Sequence, residues 1–154
     1  MKIEITTQMQ AGAGERALKQ LLALDGKAVR AGLFVPELAT RGATHEFGSG
    51  RIPARPWAST AADNGAPALG TAAGKAIASV ADGRAPASEA LDEIGATSAE
   101  QLRNIIERDQ VPGPELAPAT VKRKGHARKL VDSGDMIGAI THEIGREREA
   151  IDDG

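Results

Sequence analysis

Glu46-Phe47-Gly48 running into Ile52-Pro53-Ala54-Arg55-Pro56-Trp57 is the stretch on which the reading of this chain turns. Pro53 and Pro56 each fix their own φ and disfavour helix at the residue before, so Ile52 and Arg55 are extended and Pro56 is placed to open a helix near Trp57. A second stretch of the same kind comes after a long helical interval: Lys122-Arg123-Lys124-Gly125, then Leu130-Val131-Asp132-Ser133-Gly134-Asp135-Met136. Both are corners that present backbone and Arg or Lys groups at a surface. Neither converges a nucleophile on a base, which points to an assembly part and away from an enzyme.

Upstream of the first corner, Lys2-Ile3-Glu4-Ile5-Thr6 alternates polar and apolar as a half-buried strand does. Gly12 and Gly14 lead into a helix over Glu15 to Leu24, with Ala17, Leu18, Leu21 and Leu22 at helical spacing, until Asp25-Gly26 stops it. Val29, Ala31, Leu33 and Val35 alternate with Arg30, Gly32 and Phe34, giving a second strand that cannot pair past Pro36. A further extended piece is expected over Ala43 to Phe47, bracketed by Gly42, Gly48 and Gly50 as loop.

Downstream, Asn64-Gly65-Ala66-Pro67 is expected to break the helix that begins near Trp57, which resumes with Leu69, Ala73, Ala76, Ile77 and Val80 on one face until Asp82-Gly83. Pro86 to Ile94 and Ser98 to Arg108 are expected as two shorter helices, the second opened by Ser98 and Gln101 as a capping box. Val111 to Pro118 is a proline-rich loop, Asp132 and Ser133 cap a single turn, and Ile140, His142 and Ile144 mark a last strand. The expected fold is α+β, a small mixed or antiparallel sheet packed with several helices, in a single domain over residues 1–146 with a polar C-terminal tail at 147–154.

Composition bounds what such a domain can do. Of the 154 residues 41% are apolar, but much of that is alanine, with two Phe, one Trp and no Tyr. Burial stabilises by roughly 25 cal/mol per Å² of apolar surface, so a core short of large side chains gains little against chain entropy, and contact with other subunits is the natural remedy. The chain has no cysteine, which excludes disulfides, thiolate metal sites and cysteine nucleophiles. Its formal charge of −2 confines any electrostatic role to local patches. No stretch approaches the roughly 18 uninterrupted apolar residues of a membrane span, and Met1 to Ala11 lacks the apolar run of a signal peptide. A soluble, intracellular product with no membrane contact is expected.

Sharper motifs weaken on inspection. Gly12-Ala13-Gly14 lacks the downstream strand and acidic ribose partner of a dinucleotide fingerprint, and Gly70 to Lys75 has one residue too few and Ala76 where a phosphate loop needs Ser or Thr. His45 beside Glu46 and His142 beside Glu143, read as strand neighbours, face opposite ways with no third ligand, the pattern of surface histidines. Asp132 and Asp135 have the spacing of turn and cap residues. No cofactor, metal or catalytic residue is expected. The basic run Lys122, Arg123, Lys124, His126, Arg128 and Lys129 is the strongest charge feature, a loop made mobile or tight by Gly125 and suited to phosphates or an acidic neighbour.

On these residues the sequence resembles a phage family, the head-to-tail connector or tail-completion proteins also described as virion morphogenesis proteins. There a Glu-Phe-Gly turn precedes Ile-Pro-Ala-Arg-Pro and an aromatic, matched by Glu46 to Gly48 and Ile52 to Trp57. A later Thr-x-x-x-Lys-Gly precedes Leu-hydrophobic-Asp-Thr-Gly and Leu or Met, matched by Thr120, Lys124, Gly125, Leu130 to Gly134 and Met136. This chain has Trp57 where Phe is usual, Lys129 where Pro often stands, and Ser133 for Thr. The likeness spans about residues 1–145.

The resemblance implies a virion protein of the neck, made in the host cytoplasm, that forms a homo-oligomeric ring between portal and tail. Its implied partners are its own copies, adjacent neck proteins, the portal-side adaptor and the tail terminator or tail tube, with non-specific contact to DNA in the lumen. Arg55 and Trp57 would then anchor an inter-subunit or partner contact, with Phe47, Pro56, Lys122, Arg123, Lys124, Leu130, Asp132 and Met136 completing the interface. The competing class is an intracellular nucleic-acid-binding or regulatory module using the loop 122–129; a remote third is a small hydrolase built on the carboxylates.

Overall fold

Two seven-residue segments of alternating sequence, Lys27–Leu33 (β1) and Ile140–Arg146 (β2), pair antiparallel, Lys27 opposite Arg146 and Leu33 opposite Ile140. This is the whole sheet among the described residues, which a computed structural model gives as 12–146. Six helices surround it there: α1 Ala13–Leu22, α2 Pro36–Phe47, α3 Trp57–Ala81, α4 Ala87–Glu107, α5 Pro118–Lys124 and α6 Asp135–Ala139. Together they make one α+β domain, as the sequence indicates. The expected strand at Lys2 to Thr6 and the tail 147–154 lie outside the described residues.

α3 and α4 form an antiparallel hairpin that carries the core. Trp57 and Ala61 from α3 meet Ala99, Leu102, Ile105 and Ile106 from α4. Met136 of α6 and Ile140 at the head of β2 close this cluster from the other side. A smaller cluster of Ala76, Val80 and Ala90, with Leu21 and Leu24 packed on it, fixes α1 at the far end of the hairpin. Much of the buried set is alanine, so the gain per residue buried is small.

Three expectations are overturned. Ala43 to Phe47 is helical, not extended: α2 opens on Pro36 at its first turn, Glu37 and Arg41 pair at i,i+4, and Thr40 and Thr44 donate to the carbonyls of Pro36 and Thr40. α3 runs unbroken through Asn64 to Pro67. Pro67 is on the exposed side, while Gly65 on the inner side gives up its side-chain volume to Gln101, whose Nε2 donates to Gly65 O at 3.0 Å. The two short helices after Pro86 are one, α4. Ser98 does not cap; its hydroxyl bonds back to Ile94 O at 2.9 Å, Thr97 does the same to Glu93 O, and Gln101 is committed to α3. Gly95 continues the helix because His142 of β2 fills the space a side chain would occupy there.

Between α2 and α3 the chain makes the corner set by the prolines. Ser49 and Ile52 exchange backbone hydrogen bonds at 2.8 and 3.0 Å, and Arg55 N donates to His45 O at 2.6 Å. Gly48 holds φ 76° and ψ 174°, a conformation nearly reserved for glycine.

Candidate functional site

The two corners meet. A cavity of about 560 Å³ is walled by Arg41 and His45 of α2, by Arg51 to Pro53 and Arg55 of the first corner, by the loop 114–117, by α5, and by Leu130 and 132–136 of the second corner. Several internal bonds build it. Glu46 reaches from the end of α2 to the start of α3, accepting from Ala58 N at 2.8 Å and Ser59 N at 3.2 Å, so its carboxylate satisfies two of the free donors of the helix N-terminus. Arg55 is 6% exposed and its Nε donates to Pro114 O, tying the first corner to the loop that floors the cavity.

The predicted interface residues divide by burial. Trp57 is 4% exposed, with Nε1 donating to Gly42 O at 3.1 Å, so its area and its polar tip are both spent inside the chain. Arg55 is likewise committed internally, and Met136 belongs to the core. Arg55 and Trp57, expected as partner anchors, and Met136, expected within the interface, are framework residues instead: the corner needs them to hold its own shape. Pro56 and Leu130 are half-buried, while Lys122, Arg123 and Asp132 are exposed and Lys124 is half-buried. Phe47 is 80% exposed, the most open large apolar side chain among the described residues, with Ile52 also exposed across the same corner.

The basic run is also not the mobile loop that the sequence suggests. Lys122 to Lys124 form the last turn of α5, and Gly125 (φ 78°) is its left-handed cap, its N–H bonded to Val121 O. Lys124 Nζ donates to Arg128 O, Arg128 donates to Glu107 O at the end of α4, and Lys129 Nζ pairs with Glu115 at 3.0 Å and donates to Val111 O. Lys122 and Arg123 make no ion pair among the described residues. Clustering of like charge at α5 therefore survives, while half of the run is structural mortar.

Electrostatically the cavity is positive. Arg41, Arg51, Arg55, Arg123 and Lys124 line it. Three acids line it as well: Glu115 is taken by Lys129, Asp135 accepts a hydrogen bond from Ser133, and Asp132 acts on Lys124, so the cations outnumber the carboxylates five to three. Burial lowers the Lys124 pKa; Asp132 opposes that, and Arg123 and Arg55 add to it. Burial also lowers the His45 pKa below its ordinary 6.5, reinforced by Arg55, Lys124 and Arg41. The expected surface histidines are thus corrected: His45 is half-buried, with an Nδ1 shielded from solvent and without a hydrogen-bond partner, and His142 is half-buried against α4, its Nε2 2.8 Å from Asp92.

The sign for His45 follows from its depressed value. Folding favours the neutral ring, so below pH 6.5 the unfolded chain binds the proton more readily. The stability this group contributes is complete above its unfolded value and is lost as pH falls through and below it. In an NMR titration the His45 ring is expected to titrate below 6.5. In denaturant unfolding between about pH 7 and about pH 5, His45→Gln is expected to lose less stability than the parent. Equal losses in both would remove the burial effect.

Arg41, His45, Arg51 and Glu115 were not singled out for this surface from the sequence. Arg41 and His45 are four apart and share a helical face, a signal that appears only once α2 is recognised as helix. Among the described residues no group of three His, Asp or Glu side chains is placed to hold a metal, and no helix is long and apolar enough to cross a membrane. No family model, curated protein or solved structure matches the chain.

Proposed function

We propose that this chain is a structural subunit of a bacteriophage neck, forming a homo-oligomeric ring that joins the portal and head-completion complex to the tail and completes the DNA channel. The observation that carries this reading is convergence: the two stretches through which the sequence resembles connector and tail-completion proteins, far apart in the chain, wall one cavity. Such a corner is a rigid element for contact with neighbours, and Phe47 stands out from it with most of its ring in solvent. The alanine-rich core fits a subunit that gains stability from its neighbours, since a heterologous contact repeated about an axis closes into a ring. Copies of the chain, the portal-side adaptor and the tail terminator or tube are the partners in this reading, with the exposed Lys122 available to the DNA of the lumen.

The test is imaging of purified virions together with solution mass. The protein is expected in the neck, and particles lacking it are expected to leave filled heads unjoined to tails. In solution the parent is expected well above the 15.9 kDa of one chain. Phe47→Asp should return it to that mass with unfolding changed by no more than about 0.5 kcal/mol, as for other exposed positions. Heads and tails that join normally without the protein would end the reading. The exposed Lys122 and Arg123 favour a second reading, a nucleic-acid-binding module. That one predicts a monomer whose DNA affinity falls steeply with salt.

A further inference from the structure

We infer that the cavity between the two corners is a binding site for an acidic polypeptide segment, whose carboxylates are received by Arg51 and Arg123. Both arginines line the cavity, one from the first corner and one from α5, and neither makes an ion pair or hydrogen bond within the described residues. An unpaired guanidinium presents a planar fork that matches a carboxylate with two parallel hydrogen bonds. Two of them, contributed by separate elements around one hollow, select a ligand with more than one acidic group. His45 stands in a wall of the same cavity, so its ring senses charge bound there even though its Nδ1 is shut off from solvent.

The remainder of the lining decides between kinds of anion. Ile52, Pro53, Leu116, Leu130 and Met136 give the hollow apolar walls, which a bare phosphate would leave unused and the carbon chains of Glu or Asp would cover. No Phe, Tyr or Trp lines it, so a nucleotide or single-stranded nucleic acid would lack the large stacking platforms that such sites use. A volume of about 560 Å³ within a concave wall takes a few side chains and does not admit a duplex. Carboxylates on a peptide are the chemistry that uses both the charged and the apolar parts. The site rests on these residues whether or not the subunit belongs to a neck.

The experiment is titration of the full chain with a capped tetraglutamate peptide, with inorganic phosphate and a short DNA duplex as separate arms, followed by calorimetry and by NMR of the His45 ring. The peptide is expected to bind saturably and to raise the titration midpoint of His45, since a nearby negative charge favours the imidazolium. Arg51→Ala with Arg123→Ala is expected to weaken it by about tenfold or more. Arg51 and Arg123 are exposed, so the fold should tolerate both changes. Absence of saturable peptide binding, equal binding by the double variant, or an unmoved His45 would overturn the site, as would phosphate or duplex binding there more tightly than the peptide. Peptide binding by a chain that stays monomeric would support the cavity while counting against the ring.

Discussion

Trp57→Ala is expected to remove about 3–5 kcal/mol from the free energy of unfolding, measured by urea denaturation with an unchanged slope. The indole is the largest side chain of the main core cluster and sits at the first turn of α3, where the prolines deliver the chain into the hairpin. Its removal leaves a hollow bounded by Gly42, Leu33 and the face of α4, and it takes away the hydrogen bond that Nε1 gives the Gly42 carbonyl. Gly42 has no side chain to move into the space; a Cβ there would lie 2.7 Å from Leu33 Cδ1. Trp57→Phe keeps most of the area and loses the hydrogen bond, so a loss of about 1–2 kcal/mol is expected. A Trp57→Ala protein as stable as the parent would show that the indole is not framework, and would return it to the role of partner anchor.

Gly48→Val is expected to cost on the order of 4 kcal/mol, from two independent sources. The backbone at this residue, φ 76° and ψ 174°, is strained for any residue with a Cβ. A Cβ would also lie 2.9 Å from Ala54 N and 3.0 Å from Ile52 O, which are backbone atoms of the corner itself and cannot swing aside. Gly50, two residues on, has open space around it and no such φ, so Gly50→Val is the control and is expected to be nearly neutral. If both substitutions cost the same, the corner is held by something other than the close approach of Gly48 to Ala54. The effect should extend beyond stability, because Arg51, Ile52 and Arg55 are carried into the cavity by this turn.

The proline corner, the helix beginning at Trp57, β1 and β2 were legible because each rests on local chemistry: fixed φ at Pro53 and Pro56, and strict alternation around Val29 and Ile144. What misled was punctuation. Gly65, Gly95, Pro67 and Ser98 are breakers by propensity, yet the first two are sites of close packing, where Gln101 and His142 take the volume of the missing side chain. That information belongs to tertiary contacts and cannot be read from a window of sequence. The same holds for the site. Arg55 and Trp57 were conspicuous in the sequence for the right local reason, but only the packing shows that they face inward, leaving Phe47 and the unpaired Arg51 and Arg123 outside.

The pairing of β1 with β2 bears on how the protein comes into being on the ribosome. Lys27 bonds opposite Arg146, so the sheet cannot close until nearly the whole described chain has been synthesised. By then α3 and α4 have long been translated and can already have zipped into their local hairpin. Among the described residues, β1 therefore waits without a partner strand through most of translation, and the last described strand to emerge is the one that pairs with it.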